Sequence, residues 1–256
     1  MKDNLIFKLK ILSFKYKEAL ALFKRDKKNN FLLEECIEET SFFILNKKNN
    51  LAYFKNSENK EIQFLIKEIR NYSVEVLGIL EKIKAIEVLN FTDYSFKYEE
   101  QLILSVQQEI KDYSILKESQ VLFVGSGAMP ITAYTIAKET EASISCLDID
   151  PEAIRLSKKV TDKLKLINIF FEDNIENLNL SSFSHIIIAS LVPEKCEILD
   201  YVTKKTGKNT KIILRYGNGL KEIFNFPLCI KIINNYTKTV IRDQDFIYDS
   251  LLLERD

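Results

Sequence analysis

The N-terminal part of the chain carries apolar residues at helical spacing. Through residues 1–116, leucine, isoleucine and phenylalanine recur at intervals that place them on one helix face, among lysines and glutamates. The pattern predicts helices at residues 1–26, 31–45, 61–86 and 98–113. Residues 26–30 and 47–50 combine lysine with asparagine and predict breaks after the first two helices. We therefore predict an all-helical N-terminal domain over residues 1–116.

The pattern changes after residue 119, where short β-type runs alternate with helices. The runs that predict strands are 121–124, 144–147, 166–170, 185–190 and 211–214, and the helices between them begin near Pro130, Pro151 and Pro193. This alternation favours a parallel, doubly wound sheet. The last two runs, 228–237 and 246–253, have no helix between them and predict an antiparallel hairpin at the sheet edge. Residues 117–256 are thus predicted to form a separate α/β domain.

A glycine-containing turn follows the first predicted strand. The sequence QVLFVGSGAMP ends an apolar run at Gly125, Ser126 and Gly127, which suit a tight strand-to-helix turn that approaches a ligand closely. Asp148 ends the next strand about 20 residues later, where nucleotide-binding units place the acid that binds ribose hydroxyls. Pro130 stands where a dinucleotide site needs a third glycine. The absence of this glycine weakens the case for NAD or FAD. It favours a ligand with an adenosine and no pyrophosphate, of which S-adenosylmethionine is the commonest.

Further cofactor contacts are predicted at the carboxyl ends of the other strands, where ligands of open α/β sheets lie. Asp173 and Asn174 follow the third strand and are open to two interpretations, adenine contacts or a helix cap. Asp150 is interpreted as a second ribose contact or as the N-cap of the next helix, with the cap favoured. Ala189 and Leu191 follow the fourth strand, beside the cofactor. The whole layout resembles the Rossmann-like fold of S-adenosylmethionine-dependent methyltransferases.

Composition narrows the function classes. Lys+Arg and Asp+Glu both number 37, so the chain lacks the surplus of basic residues that would indicate nucleic-acid binding. The 4 cysteines are scattered and there is 1 histidine, His185, which we interpret as structural, so we predict no metal site. The sequence shows no leader pattern and no apolar run of membrane-spanning length, which predicts no membrane partner and a cytoplasmic protein. A homodimer is the assembly considered.

Several motifs, in order, resemble the nicotianamine synthase family. IIIASLVPEKCEILDYV and then KIILRYGNGLKEIFNFP are similar to the stretches after the family's fourth strand and through its fifth. FVGSGAMPIT resembles the family's VGSGPLPLT, with Ala128 where a first proline is usual, and CLDIDPEA matches its second-strand motif. The matching residues of the later stretches are Ala189, Leu191, Val192, Arg215, Gly219, Phe226 and Pro227. The likeness extends from Gln120 to the end of the chain.

This resemblance implies an enzyme of the branch that makes opine metallophores of the staphylopine type. Such enzymes transfer the 3-amino-3-carboxypropyl (2-aminobutanoate) group of S-adenosylmethionine to an amine and release methylthioadenosine. The expected acceptor is a small amino acid such as histidine, and no metal is required. The alternative is a small-molecule S-adenosylmethionine-dependent N-methyltransferase. A third hypothesis is a ligand-binding protein without activity.

The resemblance also suggests residues for catalysis. The family's base aligns with Glu75, and its tyrosine aligns with Tyr94. Glu81 and Tyr98 are the alternates for these two roles and are expected near the substrate. Arg215 is expected to bind a substrate carboxylate, for which a guanidinium is the fork-shaped partner. Without the resemblance, Glu75 would be a solvated helix residue, Tyr94 a linker residue and Arg215 a partner in an ion pair.

Overall fold

The computed structural model describes residues 2–90, 97–172, 174–228, 236–241 and 245–255, with side chains from residue 100 in the second range. The N-terminal region contains helices α1 (Lys2–Arg25), α2 (Asn30–Leu45), α3 (Lys47–Phe54), α4 (Lys60–Asn90) and α5 (Lys97–Tyr113). The predicted helical N-terminal region is therefore confirmed. No helix within the described ranges is long and apolar enough to cross a membrane.

Helix α3 was not predicted. The lysine–asparagine cluster at 47–50 was expected to be a break, but it forms the first turn of this helix. The Asn46 side chain accepts hydrogen bonds from the backbone N–H groups of Lys48 (3.0 Å) and Asn49 (3.2 Å), which makes it an N-cap. The break is therefore limited to Asn46, and the prediction for the residues after it is wrong.

The C-terminal region forms one sheet of seven strands flanked by helices. The strands are β1 (Gln120–Val124), β2 (Ser143–Leu147), β3 (Ile169–Glu172), β4 (His185–Ile188), β5 (Lys211–Tyr216), β6 (Tyr236–Ile241) and β7 (Asp249–Arg255), and the helices are α6 (Ile131–Thr140), α7 (Pro151–Leu164) and α8 (Lys195–Lys205). The strand order is β3-β2-β1-β4-β5-β7-β6. The first five strands are parallel, and β7 is antiparallel to both β5 and β6.

This sheet confirms the predicted fold class, five parallel strands closed by an antiparallel pair. The chain leaves β1 toward β2 on one side and reaches β4 on the other side, so the strand order reverses between β1 and β4. Loops that leave neighbouring strands in opposite directions open a crevice at the carboxyl ends of those strands. The glycine turn after β1 and the loop after β4 both lie at this crevice.

Two hydrophobic cores divide the molecule. One core joins α1, α2, α3 and the first part of α4 with residues of the C-terminal region, namely Leu220, Ile223, Phe224, Ile247 and Tyr248. The other core covers both faces of the sheet. Helix α4 contributes to both, since Leu80 is buried in the helical core and Ala85 in the core of the sheet. Helix α5 packs on the sheet side through Val106. The predicted domain boundary at residue 116 stays a prediction, because the two cores meet within α4.

Candidate active site

Two glycines shape the turn after β1. Gly125 and Gly127 have φ angles of +81° and +70°, in the left-handed region that other residues rarely occupy. A Cβ atom on Gly125 would lie 2.4 Å from Cγ2 of Val192, and one on Gly127 would lie 2.1 Å from Oε2 of Glu81. Both positions therefore favour glycine for the backbone conformation, and the packing of Val192 against the turn adds a steric reason at Gly125.

Asp148 links the glycine turn to the end of β2. Its Oδ2 accepts a hydrogen bond from the Gly127 N–H at 2.7 Å, and its Oδ1 accepts one from the Asp150 N–H at 2.9 Å. A carboxylate has about four acceptor positions. Asp148 is thus fixed in orientation and can still accept hydrogen bonds from the hydroxyls of a ribose.

A cavity of about 620 Å³ lies between α4 and the carboxyl ends of β1, β2 and β4. It is lined by Val74, Gly78, Glu81, Lys82, Val124, Gly125, Gly127, Ala128, Leu147, Asp148, Ile149, Asp150, Ala153, Asn174, Ile175, Leu191, Val192, Pro193, Glu194 and Ile198. The structure thus brings together at the cavity most of the predicted cofactor residues. Ser126 and Ala189 are buried next to this lining, and Asp173 lies outside the described residues.

Asp150 and Asn174 both act as caps in the structure, while also lining the cavity. Asp150 accepts a hydrogen bond from the Glu152 N–H at 2.9 Å at the start of α7, and Asn174 caps a short 3₁₀ helix in the same way. Asp150 also forms an ion pair with Lys82 of α4 at 2.7 Å. The hydrogen bond from Lys82 holds the pKa of Asp150 below its usual value, more than offsetting its partial burial. The contacts predicted between the cofactor and Asp150 and Asn174 stay predictions.

The two candidate glutamates on α4 have different surroundings. Glu81 lines the cavity, and its Oε2 accepts a hydrogen bond from the Ala128 N–H at 3.3 Å. The Glu75 side chain is 44% exposed, forms an ion pair with Lys24 of α1 at 3.0 Å and is absent from the cavity lining. Tyr94 lies outside the described residues, and Tyr98 falls in α5 where its side chain is not described. Glu81 is therefore the catalytic candidate that the structure places at the glycine turn.

Arg215 is buried in a network of its own. Its guanidinium donates to both carboxylate oxygens of Glu109 on α5, with Nε at 3.1 Å from Oε1 and Nη2 at 2.5 Å from Oε2. Nη1 donates to Oγ1 of Thr132 at 2.8 Å, and the rings of Phe123 and Tyr248 flank the group. Burial disfavours the charge of Arg215, but Glu109, Tyr248 and Tyr113 together outweigh burial and raise the pKa of Arg215. Arg215 is not among the cavity-lining residues, and its predicted role as a carboxylate ligand stays a prediction.

Sequence reasoning missed Lys82 and the apolar wall of the cavity. Ile149 follows Asp148 directly and is 95% exposed, so its side chain is available to a flat, apolar ligand group. Its position after the acid of β2 was a usable signal. Lys82 had no such signal, because its ion pair with Asp150 joins residues 68 positions apart through the packing of α4 against α7.

The sheet order and the glycine turn define a methyltransferase-like α/β fold with a cavity at the carboxyl ends of its central strands. Residues 70–255 match the family model described as "Nicotianamine synthase protein", and the chain belongs to this family. The prediction of this family from the sequence is therefore confirmed.

Two bacterial relatives carry the name L-histidine 2-aminobutanoyltransferase. The protein of Yersinia pestis is 37% identical over 152 residues, which are 59% of this chain and 57% of that protein. The protein of Pseudomonas aeruginosa is 30% identical over 203 residues, which are 78% of this chain and 77% of that protein.

Two solved structures share the fold over nearly the whole chain. MtNAS in complex with MTA and tNA has a TM-score of 0.84 at 18% identity and covers 97% of each chain. A mutant of MtNAS in complex with S-adenosylmethionine has a TM-score of 0.80 at 17% identity and covers 95% of this chain and 97% of that chain. These structures confirm the architecture, including the position of the helical region on the α/β sheet.

Proposed function

We propose that this protein transfers the 2-aminobutanoate group of S-adenosylmethionine to the amino group of L-histidine and releases methylthioadenosine. Membership of the nicotianamine synthase family supports the reaction type. The names of the relatives from Yersinia pestis and Pseudomonas aeruginosa support histidine as the acceptor. The observation that carries the proposal is the position of Glu81, a carboxylate that reaches the glycine turn from the facing helix.

The cavity suits the adenosine part of S-adenosylmethionine. Asp148 retains acceptor positions for ribose hydroxyls, and the glycines allow a ligand to approach the backbone of the turn. Ile149, Ile175 and Leu191 provide apolar surface for the adenine ring. When bound, the sulfonium supplies a carbon–sulfur bond that breaks as the acceptor nitrogen attacks the carbon, so that the bonding electrons stay on sulfur and a neutral thioether leaves.

Glu81 has the chemistry that the acceptor requires. An amino group is protonated near neutral pH and can attack only after it loses a proton. A carboxylate within hydrogen-bond reach can take that proton, and such catalysis contributes about 10²–10⁴ in rate. We assign this role to Glu81, the alternate in the sequence analysis, in place of Glu75, whose carboxylate pairs with Lys24. Helix α4 and the glycine turn together hold the base against the cofactor cavity.

We also propose that the product chelates metal ions, as an opine-type or nicotianamine-like metallophore precursor. The product would combine the histidine imidazole with a secondary amine and two carboxylates, and all of these groups are metal ligands. The metal binds the product in this account and takes no part in the transfer. We place the reaction in the cytoplasm, as the composition predicted.

Product analysis tests the proposal. The protein is incubated with S-adenosylmethionine and a pool of amino acids, and the products are identified by mass. We expect methylthioadenosine together with histidine that carries one aminobutanoate group. Methylated acceptor together with S-adenosylhomocysteine would instead establish the N-methyltransferase. Binding of S-adenosylmethionine without turnover of any amino acid would indicate a binding protein.

A further inference from the structure

Two cations are buried close together where α4 meets the carboxyl ends of β4 and β5. Arg70 of α4 is 9% exposed, and Lys195 at the start of α8 is 1% exposed. Burial and, to a smaller extent, the charge of Arg70 together lower the pKa of Lys195 to about 7. In the described part of the chain, the one carboxylate in contact with either cation is that of Glu222, whose Oε2 is 3.6 Å from Nη1 of Arg70. Glu222 is thus the one anionic partner of two buried cationic groups in the part of the chain that the structure describes.

Lys195 has no donor to spare. Its Nζ donates to the backbone oxygens of Ser190 at 2.7 Å, Arg215 at 2.9 Å and Phe226 at 3.4 Å. An ammonium has three N–H donors, and these three carbonyls use all of them. Lys195 thus fixes the loop after β4, in which Leu191 begins the cavity lining. Its role is to shape the wall, and it has no hydrogen bond left for a ligand.

Arg70, in contrast, has unused donors. Nη1 donates to the Glu222 backbone oxygen at 3.3 Å, and the Phe226 ring lies 5.3 Å from the guanidinium carbon. Nε is buried without a hydrogen-bond partner, and Nη2 donates to no acceptor in the described part of the chain. Buried polar groups of native proteins are almost always hydrogen-bonded, so the unpaired, buried Nε of Arg70 needs an explanation.

The position of Arg70 on its helix relates it to the cavity. Residues four and eight positions further along α4 are Val74 and Gly78, and both line the cavity. Residues at this spacing share one helix face, so Arg70 continues this face by one turn and lies next to the cavity lining without being part of it. Glu81 is on the same side of the helix, at the glycine turn. Base and guanidinium therefore lie along one face, with the cavity between α4 and the sheet.

We propose that Arg70 binds the α-carboxylate of an amino-acid group that extends from the cavity along this face of α4. This proposal rests on the proposed function, in which two such groups enter the site, the acceptor histidine and the aminobutanoate arm of S-adenosylmethionine. A planar carboxylate accepts two parallel hydrogen bonds from a guanidinium, and Nε and Nη2 of Arg70 are such a pair of donors. Arg215, predicted for this role from the sequence, has its fork occupied by Glu109 and Thr132.

The test compares ligands that differ by the carboxylate-bearing group. Histamine lacks the carboxylate of histidine, and methylthioadenosine lacks the whole aminobutanoate arm of S-adenosylmethionine. Two ratios are measured: kcat/KM for histidine over that for histamine, and the affinity for S-adenosylmethionine over that for methylthioadenosine. In Arg70→Met, we expect one of these ratios to fall by about tenfold or more, because a charge-assisted hydrogen-bonded pair is lost. A fall in the first identifies the acceptor as the ligand, and a fall in the second identifies the arm.

Three further variants separate ligand binding from folding. Glu222→Gln removes the ion pair of Arg70 and keeps the guanidinium, so it should retain both ratios. Arg25→Met removes an exposed arginine at the end of α1 and is the matched control. Arg70→Lys keeps the charge without the fork, and it is measured in the same way if Arg70→Met does not fold.

Both ratios unchanged in a folded Arg70→Met or Arg70→Lys protein would overturn the proposal. Wild-type protein that makes no aminobutanoyl product would overturn the proposed function instead. In that case the affinity ratio between S-adenosylmethionine and methylthioadenosine still tests Arg70 by itself.

Discussion

Replacing Gly127 by alanine separates the stability of the glycine turn from the position of the proposed base. The φ angle of Gly127 is +70°, and an L-residue in this region costs about 1–2 kcal/mol. The new Cβ would lie 2.1 Å from Oε2 of Glu81, which is the far end of a flexible side chain. Since Glu81 can swing away, we expect the free energy of unfolding to fall by only about 1–2 kcal/mol.

The displaced carboxylate should affect catalysis far more than stability. Glu81 would lose its hydrogen bond from the Ala128 N–H and its place at the cavity wall. If it is the base, the transfer rate should fall by about 10²-fold or more. Single-turnover release of methylthioadenosine at saturating S-adenosylmethionine measures the transfer rate, and denaturant unfolding measures stability. Saturation with cofactor removes any effect of Gly127→Ala on affinity.

Gly207→Ala is the matched control. Its new Cβ would have no heavy atom nearer than 3.9 Å, and it lies outside the cavity lining. We expect wild-type transfer and a change in unfolding free energy within about 1 kcal/mol. A Gly127→Ala protein that loses the expected stability and transfers at a rate within a few-fold of wild type would refute the assignment of Glu81.

Three other predictions address the base, the buried ion pair and the histidine. Glu81→Gln should slow methylthioadenosine release by about 10²–10⁴-fold with cofactor affinity retained, whereas Glu75→Gln should be unaffected; the opposite pattern would make Glu75 the base. Arg215→Met leaves Glu109 buried without its partner and should lower the free energy of unfolding by about 3–5 kcal/mol, and a loss below about 1 kcal/mol in denaturant unfolding would contradict the structural role. Burial lowers the pKa of His185 below 6.5, so the unfolded chain takes up a proton that the folded chain does not, and stability should decline as pH falls below about 6.5; His185→Gln should flatten this slope in unfolding experiments.

The fold and the geometry of the glycine turn could be predicted from the sequence because their signals are local. The glycine turn and Asp148 lie within about one βαβ unit, and the order of strand, turn, helix and strand restricts them to one arrangement. Their hydrogen bond at 2.7 Å follows from this arrangement. Local reasoning failed at Asn46. The lysine–asparagine cluster that follows it was interpreted as a break, because Asn46 was not recognised as the N-cap of a helix.

The choice between Glu75 and Glu81 could not be made from the sequence. Both residues lie within one long helix, and the side that faces the cavity depends on how α4 packs against α1 and α7. Six residues along a helix turn the side chain by about 600°, so the two carboxylates point to different sides. Glu75 faces α1 and forms an ion pair with Lys24, whereas Glu81 faces the sheet and accepts a hydrogen bond from the Ala128 N–H.

Long-range contacts determine the surroundings of Arg215 and Arg70, which the sequence did not predict. Arg215 pairs with Glu109, which is 106 positions away on α5, and the sequence contains no signal that joins them. Arg70 was not considered as a site residue, because its surroundings combine α4, α8 and the segment at Glu222. Charged residues of this kind acquire their roles from tertiary contacts, so sequence spacing alone cannot predict them.

A crystal structure of the protein with bound S-adenosylmethionine tests the central claim most directly. We predict that the ribose hydroxyls bind Asp148 and that the carbon joining the aminobutanoate arm to sulfur faces the side of the cavity that holds Glu81. A methyl group on that side, with the aminobutanoate arm enclosed away from Glu81, would contradict the account.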